Sequence, residues 1–355
     1  MFHLTSIEHK NKQMKILYAI QGTGNGHLSR AKEVYAMLNN RVEVDVLVSG
    51  SQFEIECPFP IKYQLKGIVF VFGKKGGIDY IKTLKANNPF KILKEIRTCN
   101  LSNYDLIIND FEPITAWASY FGGHLNCISL SHQSAFLSKK VPKPSRKSLL
   151  GRLLIKHFAP AATNYGFHFK SYDKNIFTPI IRNDIRRQSV KEKKYYVVYL
   201  PFYSDEKIIK VLSKIKEVKW KVFSKHSKES FAFKNIKIKP IFNSDFERAM
   251  AWSSGVICGA GFETPAEAMY LKKKLLVVPM KGQYEQACNA ESLKELGVLV
   301  LPSFNKKSVP ILLEWIENNT VIDIDFPDKT QFIIDEIITN HIVATELSER
   351  LLQNI

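Results

Sequence analysis

Residues 253–268 read SSGVICGAGFETPAEA and carry the most specific structural pattern of the chain. The apolar run at 256–258 is typical of a buried parallel strand, which is covered on both faces. A glycine-rich turn follows, and Thr264, Pro265 and Glu267 then match the residue preferences of a helix amino terminus, with Thr264 as the N-cap. Glycines before a capped helix end let the backbone approach a diphosphate, and the helix dipole favours its charge. The stretch therefore predicts a strand, a turn and a helix that bind an anion.

Glu267 has two interpretations at this point. At the third position of a helix, a glutamate commonly accepts a hydrogen bond from the N-cap backbone, which would make it a structural cap. Alternatively, its carboxylate hydrogen-bonds the diol of a ribose. The local pattern leaves both open.

A polar loop follows the next predicted strand, residues 275–279. Residues 280–290 read MKGQYEQACNA. Because parallel strands end at the same edge of a sheet, we expect this loop to lie beside the glycine turn. Paired amide and carboxylate groups are well suited to bind sugar hydroxyls. The candidate residues are Gln283, Glu285, Gln286 and Asn289.

The first half of the chain opens with a similar unit. Residues 15–20 (KILYAI) have a strand pattern, residues 22–27 (GTGNGH) form a glycine loop, and helical periodicity follows. The glycine spacing departs from the dinucleotide-binding fingerprint, which disfavours that function. His27 stands at the mouth of the loop as a candidate proton acceptor, although a purely structural turn would also explain it.

Strand and helix patterns alternate through both halves. This alternation predicts an α/β protein with two doubly wound Rossmann-like domains that face a central cleft. We expect the first domain at residues 14–165 and the second at residues 175–325. The helical pattern at 330–355 is expected to pack back on the first domain, and residues 1–13 are expected to be a disordered extension.

Composition is typical of a soluble globular protein. The chain has 355 residues, of which 45% are hydrophobic and 12% aromatic. No apolar run reaches the ~18 residues of a membrane-spanning helix, and the polar start lacks the apolar core of a secretory signal. The five cysteines are dispersed without a CxxC pair, which favours a cytoplasmic location and predicts neither disulfides nor a zinc site.

The charge balance indicates a polyanionic partner. The 51 basic and 34 acidic residues give a net charge of +17, which suits an anionic membrane, a nucleic acid or a phosphorylated substrate. Nucleic acid is disfavoured, because the basic residues are spread and no recognised binding motif is present.

Residues 138–157 (SKKVPKPSRKSLLGRLLIKH) set basic residues beside leucines. That pattern is typical of a segment on the inner membrane surface, and equally of a core helix with a basic edge.

Residues 240–297 resemble the donor-binding half of glycosyltransferases with two Rossmann-like domains, the GT-B architecture. The likeness is greatest to glycosyltransferase family 28, whose bacterial members add N-acetylglucosamine to the lipid-linked peptidoglycan precursor. The glycine loop at 22–27, the segment SHQSA at 131–135 and the stretch RNDI at 182–185 are similar to shorter motifs of that family. The sequence DFEP at 110–113 departs from it and resembles a less characterised branch, which leaves the acceptor open. A glycine loop expected after the strand at 195–200 is replaced by PFYS.

The resemblance implies roles for named residues. Glu267 would hold the donor ribose, and Glu285 and Gln286 would hold the sugar hydroxyls. Arg182 and the backbone at 259–261 would neutralise the pyrophosphate.

On the acceptor side, the resemblance implies that His27 or Asp110 takes the proton and that His132 shapes the acceptor pocket. The complete candidate set is, for the donor, Arg182, Ser204, Phe242, Gly259, Ala260, Gly261, Thr264, Glu267, Gln283, Glu285, Gln286 and Asn289, and, for the acceptor, Gly24, Asn25, Gly26, His132 and Gln133.

These expectations define one reaction and several alternatives. The prediction is inverting, metal-independent transfer from a UDP-sugar to a hydroxyl acceptor, with a lipid-linked or envelope glycan suggested by residues 138–157. No paired aspartates stand in a suitable loop, and no cofactor beyond the donor substrate is expected. A nucleotide-sugar 2-epimerase of the same fold and a non-catalytic nucleotide-sugar-binding subunit remain alternatives.

Overall fold

A computed structural model describes residues 14–23, 25–50, 57, 59–69, 71, 80–124, 126–145, 148–241 and 245–352. Two predicted site residues, Gly24 and Phe242, lie outside these ranges, as does the side chain of Asn25.

The first half forms a seven-stranded sheet in the order β3-β2-β1-β4-β5-β6-β7, and its paired strands are parallel. This arrangement around β1 is that of a doubly wound Rossmann-like fold. The sheet continues past residue 165 as far as Phe177. Its strands are β1 (Lys15–Gln21), β2 (Glu43–Ser49), β3 (Tyr63–Leu65), β4 (Leu106–Asp110), β5 (Cys127–Ser131), β6 (Thr163–Phe167) and β7 (Ile176–Phe177).

Helices separate these strands. The helices are α1 (Asn25–Asn39), α2 (Tyr80–Ala86), α3 (Pro89–Thr98), α4 (Pro113–Gly122) and α5 (Leu149–His157), with a 3₁₀ helix at Gln133–Leu137.

The second half repeats the plan in a sheet of order β10-β11-β9-β8-β12-β13-β14, in which only β10 is antiparallel to its neighbour among the described pairings. Its strands are β8 (Lys193–Tyr199), β9 (Lys219–Ser224), β10 (Phe231–Phe233), β11 (Ile236–Pro240), β12 (Ser253–Gly259), β13 (Lys274–Val278) and β14 (Leu299–Val300). Its helices are α6 (Asn183–Arg186), α7 (Asp205–Leu212), α8 (Phe246–Ala251), α9 (Glu263–Tyr270), α10 (Tyr284–Glu295) and α11 (Val309–Glu317), with a 3₁₀ turn at Lys306–Ser308. The predicted pair of doubly wound units is thereby confirmed.

The last helix, α12 (Thr330–Leu352), returns to the first half. Ile333, Ile334 and Ile337 are at most 1% exposed and share a buried cluster with Leu28 and Val34 of α1. In the described part of the chain, no helix is long and apolar enough to cross a membrane.

One buried apolar cluster runs through both halves. It contains Ile16 and Ile108 of the first sheet together with Val256 and Ala266 of the second half. The two halves therefore touch across the cleft.

The amino terminus of α9 differs from the sequence prediction. The helix begins at Glu263, and Phe262 occupies the N-cap position without a side-chain capping bond, so Thr264 is not the cap. Pro265 fits at the third helical position because the first N–H groups of a helix have no intrahelical acceptor.

Candidate functional site

The two candidate bases lie in contact. His27 is in the first turn of α1, and Asp110 is the last residue of β4, the strand beside β1. Because these parallel strands end at one edge, the imidazole Nδ1 comes within 2.8 Å of Asp110 Oδ1. Asp110 is fully buried. The structure therefore joins the two residues that the sequence left as alternatives into one pair.

Arg30 completes this cluster. Its Nη2 donates to both carboxylate oxygens of Asp110, at 2.7 and 2.8 Å. Its Nη1 donates to Glu263 Oε1 of α9 at 2.6 Å. The guanidinium is 2% exposed, and it lies between a carboxylate from each half of the molecule.

Burial and charge act in opposite directions on these carboxyl groups. Burial alone would raise the pKa of Asp110, but the neighbouring Arg30 and His27 outweigh it and hold that pKa below its usual value. At Glu263, burial prevails over Arg30 and raises the pKa to about 7. Asp110 is accordingly an ionised partner for the imidazole and a poor proton acceptor.

The turn after β4 holds Asp110 in place. Phe111 adopts φ of 57°, an uncommon left-handed conformation for a bulky residue, and its ring stacks parallel to His27 at 6.4 Å between centroids. Glu112 caps α4 by accepting hydrogen bonds from the backbone of Ile114 and Thr115. The DFEP sequence thus builds a strained turn with a buried cap directly behind the pair.

The second nitrogen of His27 points toward the opposite half. Its Nε2 lies 3.5 Å from Gln133 Nε2, and the same amide donates to Glu285 Oε2 of α10 at 3.1 Å. The ionised Asp110 carboxylate accepts the proton-bearing Nδ1 of His27 at 2.8 Å, which leaves a lone pair on Nε2 toward the Gln133 amide. The hydrogen bonds therefore select the tautomer in which Nε2 can accept a proton.

His132 contacts the second half of the molecule beside the His27–Asp110 pair. Its Nδ1 lies 2.8 Å from the carbonyl oxygen of Phe167 and its Nε2 2.9 Å from Asn289 Oδ1 of α10. Its ring stacks on Phe262 at 3.9 Å. Asn289 donates in turn to the carbonyl oxygen of Ala260, so both predicted residues serve the contact between the halves.

Glu267 is held by an arginine. Arg182 binds both oxygens of its carboxylate through Nε and Nη2, at 2.6 and 3.0 Å, and also contacts Glu247. Burial would lower the pKa of Arg182, but these two carboxylates raise it. The capping-box interpretation of Glu267 is wrong, since its carboxylate faces Arg182 and α9 begins at Glu263.

The glycine turn lies between β12 and α9. A side chain at Gly261 would meet no atom within 4 Å, whereas one at Gly259 would meet the ring of Phe202 at 2.9 Å. Phe202 occupies the place of the missing glycine loop. Open space therefore faces Gly261, beside the amino end of α9, and Thr264 lies in the first turn of that helix.

Two side chains of the polar loop before α10 accept hydrogen bonds from the backbone of the same loop. Gln283 is the N-cap and accepts from the backbone of Gln286 at 2.6 Å. Gln286 accepts from the backbone of Met280 at 2.8 Å. Ser204 stands at the N-cap of α7 without a capping bond and hydrogen-bonds the carboxylate of Glu206. Glu285, like Asn289, instead reaches the other half, where it accepts from Gln133.

Sequence reasoning missed Arg30, Glu263 and Phe262. Arg30 lies one helical turn after His27, a spacing that places the two side chains on one face of α1. This was the available signal. Within the described ranges, no group of three or more histidine, cysteine, aspartate or glutamate side chains is arranged to hold a metal ion.

Two Rossmann-like units in series are the architecture of the GT-B class of glycosyltransferase. The family model described as glycosyl transferase family 1 matches residues 14–313, and the chain belongs to this family. The protein is therefore a glycosyltransferase. A search of curated proteins found no match.

Solved structures of low sequence identity share the fold. MurG of Acinetobacter baumannii has a TM-score of 0.58 at 18% identity, over 92% of this chain and 99% of that one. A UDP-glucosyltransferase from Polygonum tinctorium has a TM-score of 0.57 at 11% identity, over 92% and 93% of the chains. UGT2 of Phytolacca americana, complexed with UDP-2-fluoro-glucose and pterostilbene, has a TM-score of 0.55 at 13% identity, also over 92% and 93%.

Proposed function

We propose that the protein transfers a sugar from a UDP-sugar to a hydroxyl group of an acceptor, with inversion and without a metal ion. One observation carries this proposal. His27 Nε2, the nitrogen that carries the lone pair, is linked through the Gln133 amide to Glu285, a predicted sugar ligand on the other half. The proposed base and the proposed sugar-binding carboxylate thereby face each other across the cleft.

The reaction follows from this placement. His27 Nε2 accepts the proton of the acceptor hydroxyl, and the hydroxyl oxygen forms a bond to the anomeric carbon. The bond from that carbon to the diphosphate oxygen breaks on the opposite face, so the configuration inverts and the diphosphate leaves with the electron pair. Asp110 stabilises the imidazolium formed at His27, as an orienting carboxylate does in other histidine bases.

The second half supplies the donor site. A diphosphate at Gly261 would face open space and the amino end of α9, where each dipole contact contributes about 0.3–1 kcal/mol. Arg182 fixes the Glu267 carboxylate through one lone pair on each oxygen, which leaves acceptor capacity for a ribose diol. The choice of UDP is supported by the family 28 resemblance and by the UDP-2-fluoro-glucose in the Phytolacca complex.

A panel of nucleoside diphosphates and nucleotide sugars tests the donor. We expect UDP and one UDP-sugar to raise the melting temperature most, and EDTA to leave transfer unchanged. Nuclear magnetic resonance of the product should show the anomeric configuration opposite to that of the donor. Retention, or preference for another nucleotide, would refute the proposal, and conversion of the donor without an acceptor would indicate the 2-epimerase instead.

We further propose that the acceptor is lipid-linked and that α5 rests on an anionic membrane at its cytoplasmic face. Leu149, Leu150 and Leu153 are 71%, 50% and 54% exposed, and the exposed Arg152 and Lys156 lie among them. Such a helix suits the boundary between head groups and acyl chains.

The position of α5 links this surface to the site. A side chain at Gly151 would lie 2.4 Å from Tyr284, the first residue of α10, so the glycine permits close contact with the helix that carries Glu285. An acceptor anchored in the membrane would reach the cleft beside this contact. No nucleic-acid partner is proposed.

Flotation with vesicles of phosphatidylcholine, with and without phosphatidylglycerol, tests the membrane contact. We expect flotation only with the anionic lipid, and its loss in a Leu149→Glu, Leu153→Glu variant. Phe332→Glu, at a residue 59% exposed on α12, is the matched control and should still float. Failure of the wild-type protein to float would remove the membrane proposal and leave the transferase proposal standing.

A further inference from the structure

We propose that Arg30 is a positioning residue that couples the His27–Asp110 pair to the donor half through Glu263, so that contact between the halves sets the orientation of the base. This inference rests on the proposed function, in which His27 is the base.

The first argument is connectivity. One guanidinium binds Asp110, at the end of β4 in the first half, and Glu263, the first residue of α9 in the second half. Glu263 directly follows the glycine turn at which the donor diphosphate is proposed. A shift of α9 on donor binding would therefore reach Arg30 through a single hydrogen bond.

The second argument is the shared oxygen. Asp110 Oδ1 lies 2.8 Å from His27 Nδ1 and 2.7 Å from Arg30 Nη2. Arg30 Nη2 also lies 3.4 Å from His27 Nδ1. Displacement of the guanidinium would rotate the Asp110 carboxylate and, with it, the imidazole that the carboxylate orients.

The third argument is that this arrangement lowers the stability of the fold. Arg30 Nε is buried without a hydrogen-bond partner among the described residues. An unsatisfied buried donor lowers stability, and a buried ion cluster is a weak source of stability. The side chain is thus placed so that its two terminal nitrogens reach two carboxylates. Lysine, with a single ammonium on a flexible stem, cannot reproduce that fork.

A surface pair gives the matched control. Lys170 and Glu295 form an ion pair between the first half and α10 at 3.1 Å, with side chains 56% and 43% exposed, and neither contacts the His27–Asp110 pair. Loss of this pair removes a contact between the halves but leaves the cluster intact.

The kinetic test is a double-mutant cycle with Arg30→Lys and Glu263→Gln. We expect Arg30→Lys to lower kcat about 10-fold or more, because the base is misoriented. The double variant should lose no more activity than Arg30→Lys alone, since both changes break one link. Lys170→Met with Glu295→Gln should leave kcat unchanged.

Exogenous methylguanidinium should restore part of the activity of Arg30→Ala, which a merely structural role would not predict.

A second readout does not depend on turnover. Hydrogen–deuterium exchange in the peptide that contains α9 should become faster in Arg30→Lys, although the substitution lies in the other half, and should not change in Lys170→Met. Unchanged exchange in α9, or kcat of Arg30→Lys within 2-fold of wild type, would overturn the inference. Absence of transfer by the wild-type enzyme, with altered exchange in Arg30→Lys, would refute the proposed reaction and retain the coupling.

Discussion

Asp110 receives hydrogen bonds from both His27 and Arg30 while it is fully buried. Arg30 and the hydrogen bond from His27 outweigh burial and keep the pKa of Asp110 low, so its carboxylate is a fixed negative charge. At the scale of single residues, the proposed base is therefore His27, and Asp110 holds its imidazole through the hydrogen bond to Nδ1.

Substitutions in the pair follow from these separate roles. His27→Ala should lower transfer by about 10³-fold or more because it removes the base. Asp110→Asn should lower it by about 10²- to 10⁴-fold, because the amide does not stabilise the imidazolium. Steady-state kinetics measures both effects, and calorimetry should show UDP affinity within about 2-fold of wild type. A larger effect of Asp110→Asn than of His27→Ala would identify Asp110 as the base.

Glu263 should give the protein a measurable pH dependence. The groups that face it are Arg30 and His27 of α1, Asp110 of β4 and Glu267 of α9. Its pKa rises from 4.5 to about 7 on folding, so the folded protein binds the extra proton. The stability from this proton is complete below pH 4.5 and is lost as the pH rises through about 7, for a total of up to about 3 kcal/mol.

Urea unfolding of the wild type and Glu263→Gln across this range measures the contribution. The free energy of unfolding of the wild type should fall, relative to that of the variant, between about pH 4.5 and 7 and then level off. A constant difference across the range would contradict the raised pKa.

At the scale of elements, the turn from β12 into α9 combines two glycines with different surroundings. Gly259 packs against Phe202, whereas space is open at Gly261. One glycine therefore serves packing, and the other keeps the helix end accessible to a ligand.

Alanine at these positions should separate the two roles. Gly261→Ala should weaken UDP binding about tenfold, or about 1.4 kcal/mol, because its methyl group occupies the proposed diphosphate space, and should leave the melting temperature nearly unchanged. Gly259→Ala should instead lower the free energy of unfolding by about 1–3 kcal/mol through overpacking. Calorimetry and urea unfolding measure the two effects. Unaltered UDP affinity in Gly261→Ala would place the donor elsewhere.

At the scale of the whole molecule, the two halves share one buried cluster, and α12 returns from the second half to cover α1. His132, Asn289 and Glu267 are at most 3% exposed in this arrangement. The contact between the halves buries His132 and Asn289, which hydrogen-bond each other across it.

The contribution of α12 is testable with neighbouring residues. Ile334 is fully buried against the first half, and Phe332 is 59% exposed. Ile334→Ala should lower the free energy of unfolding by about 2–4 kcal/mol, through lost burial and a cavity. Phe332→Ala should change it by less than about 0.5 kcal/mol. Denaturant unfolding compares them, and equal effects would show that α12 does not stabilise the first half.

The pair of Rossmann-like units was predictable from the sequence, because buried parallel strands and amphipathic helices leave local periodic patterns. The same patterns made His27, Asp110, Glu267 and Glu285 candidate site residues, since glycine turns and polar residues stand at strand ends, where ligands bind. Short strands such as β7 and β14 escaped prediction because two residues carry no period.

The contacts that bring these residues together are visible only in the tertiary structure. The Arg30–Glu263 pair joins residues 233 positions apart, and the Arg182–Glu267 pair joins residues 85 positions apart. Local pattern contains no information about partners at such separations. The start of α9 was likewise settled by packing, because Phe262 stacks on His132 of the other half and occupies the N-cap position without a capping side chain. Contact between the halves, rather than local propensity, thus set the geometry of the candidate site.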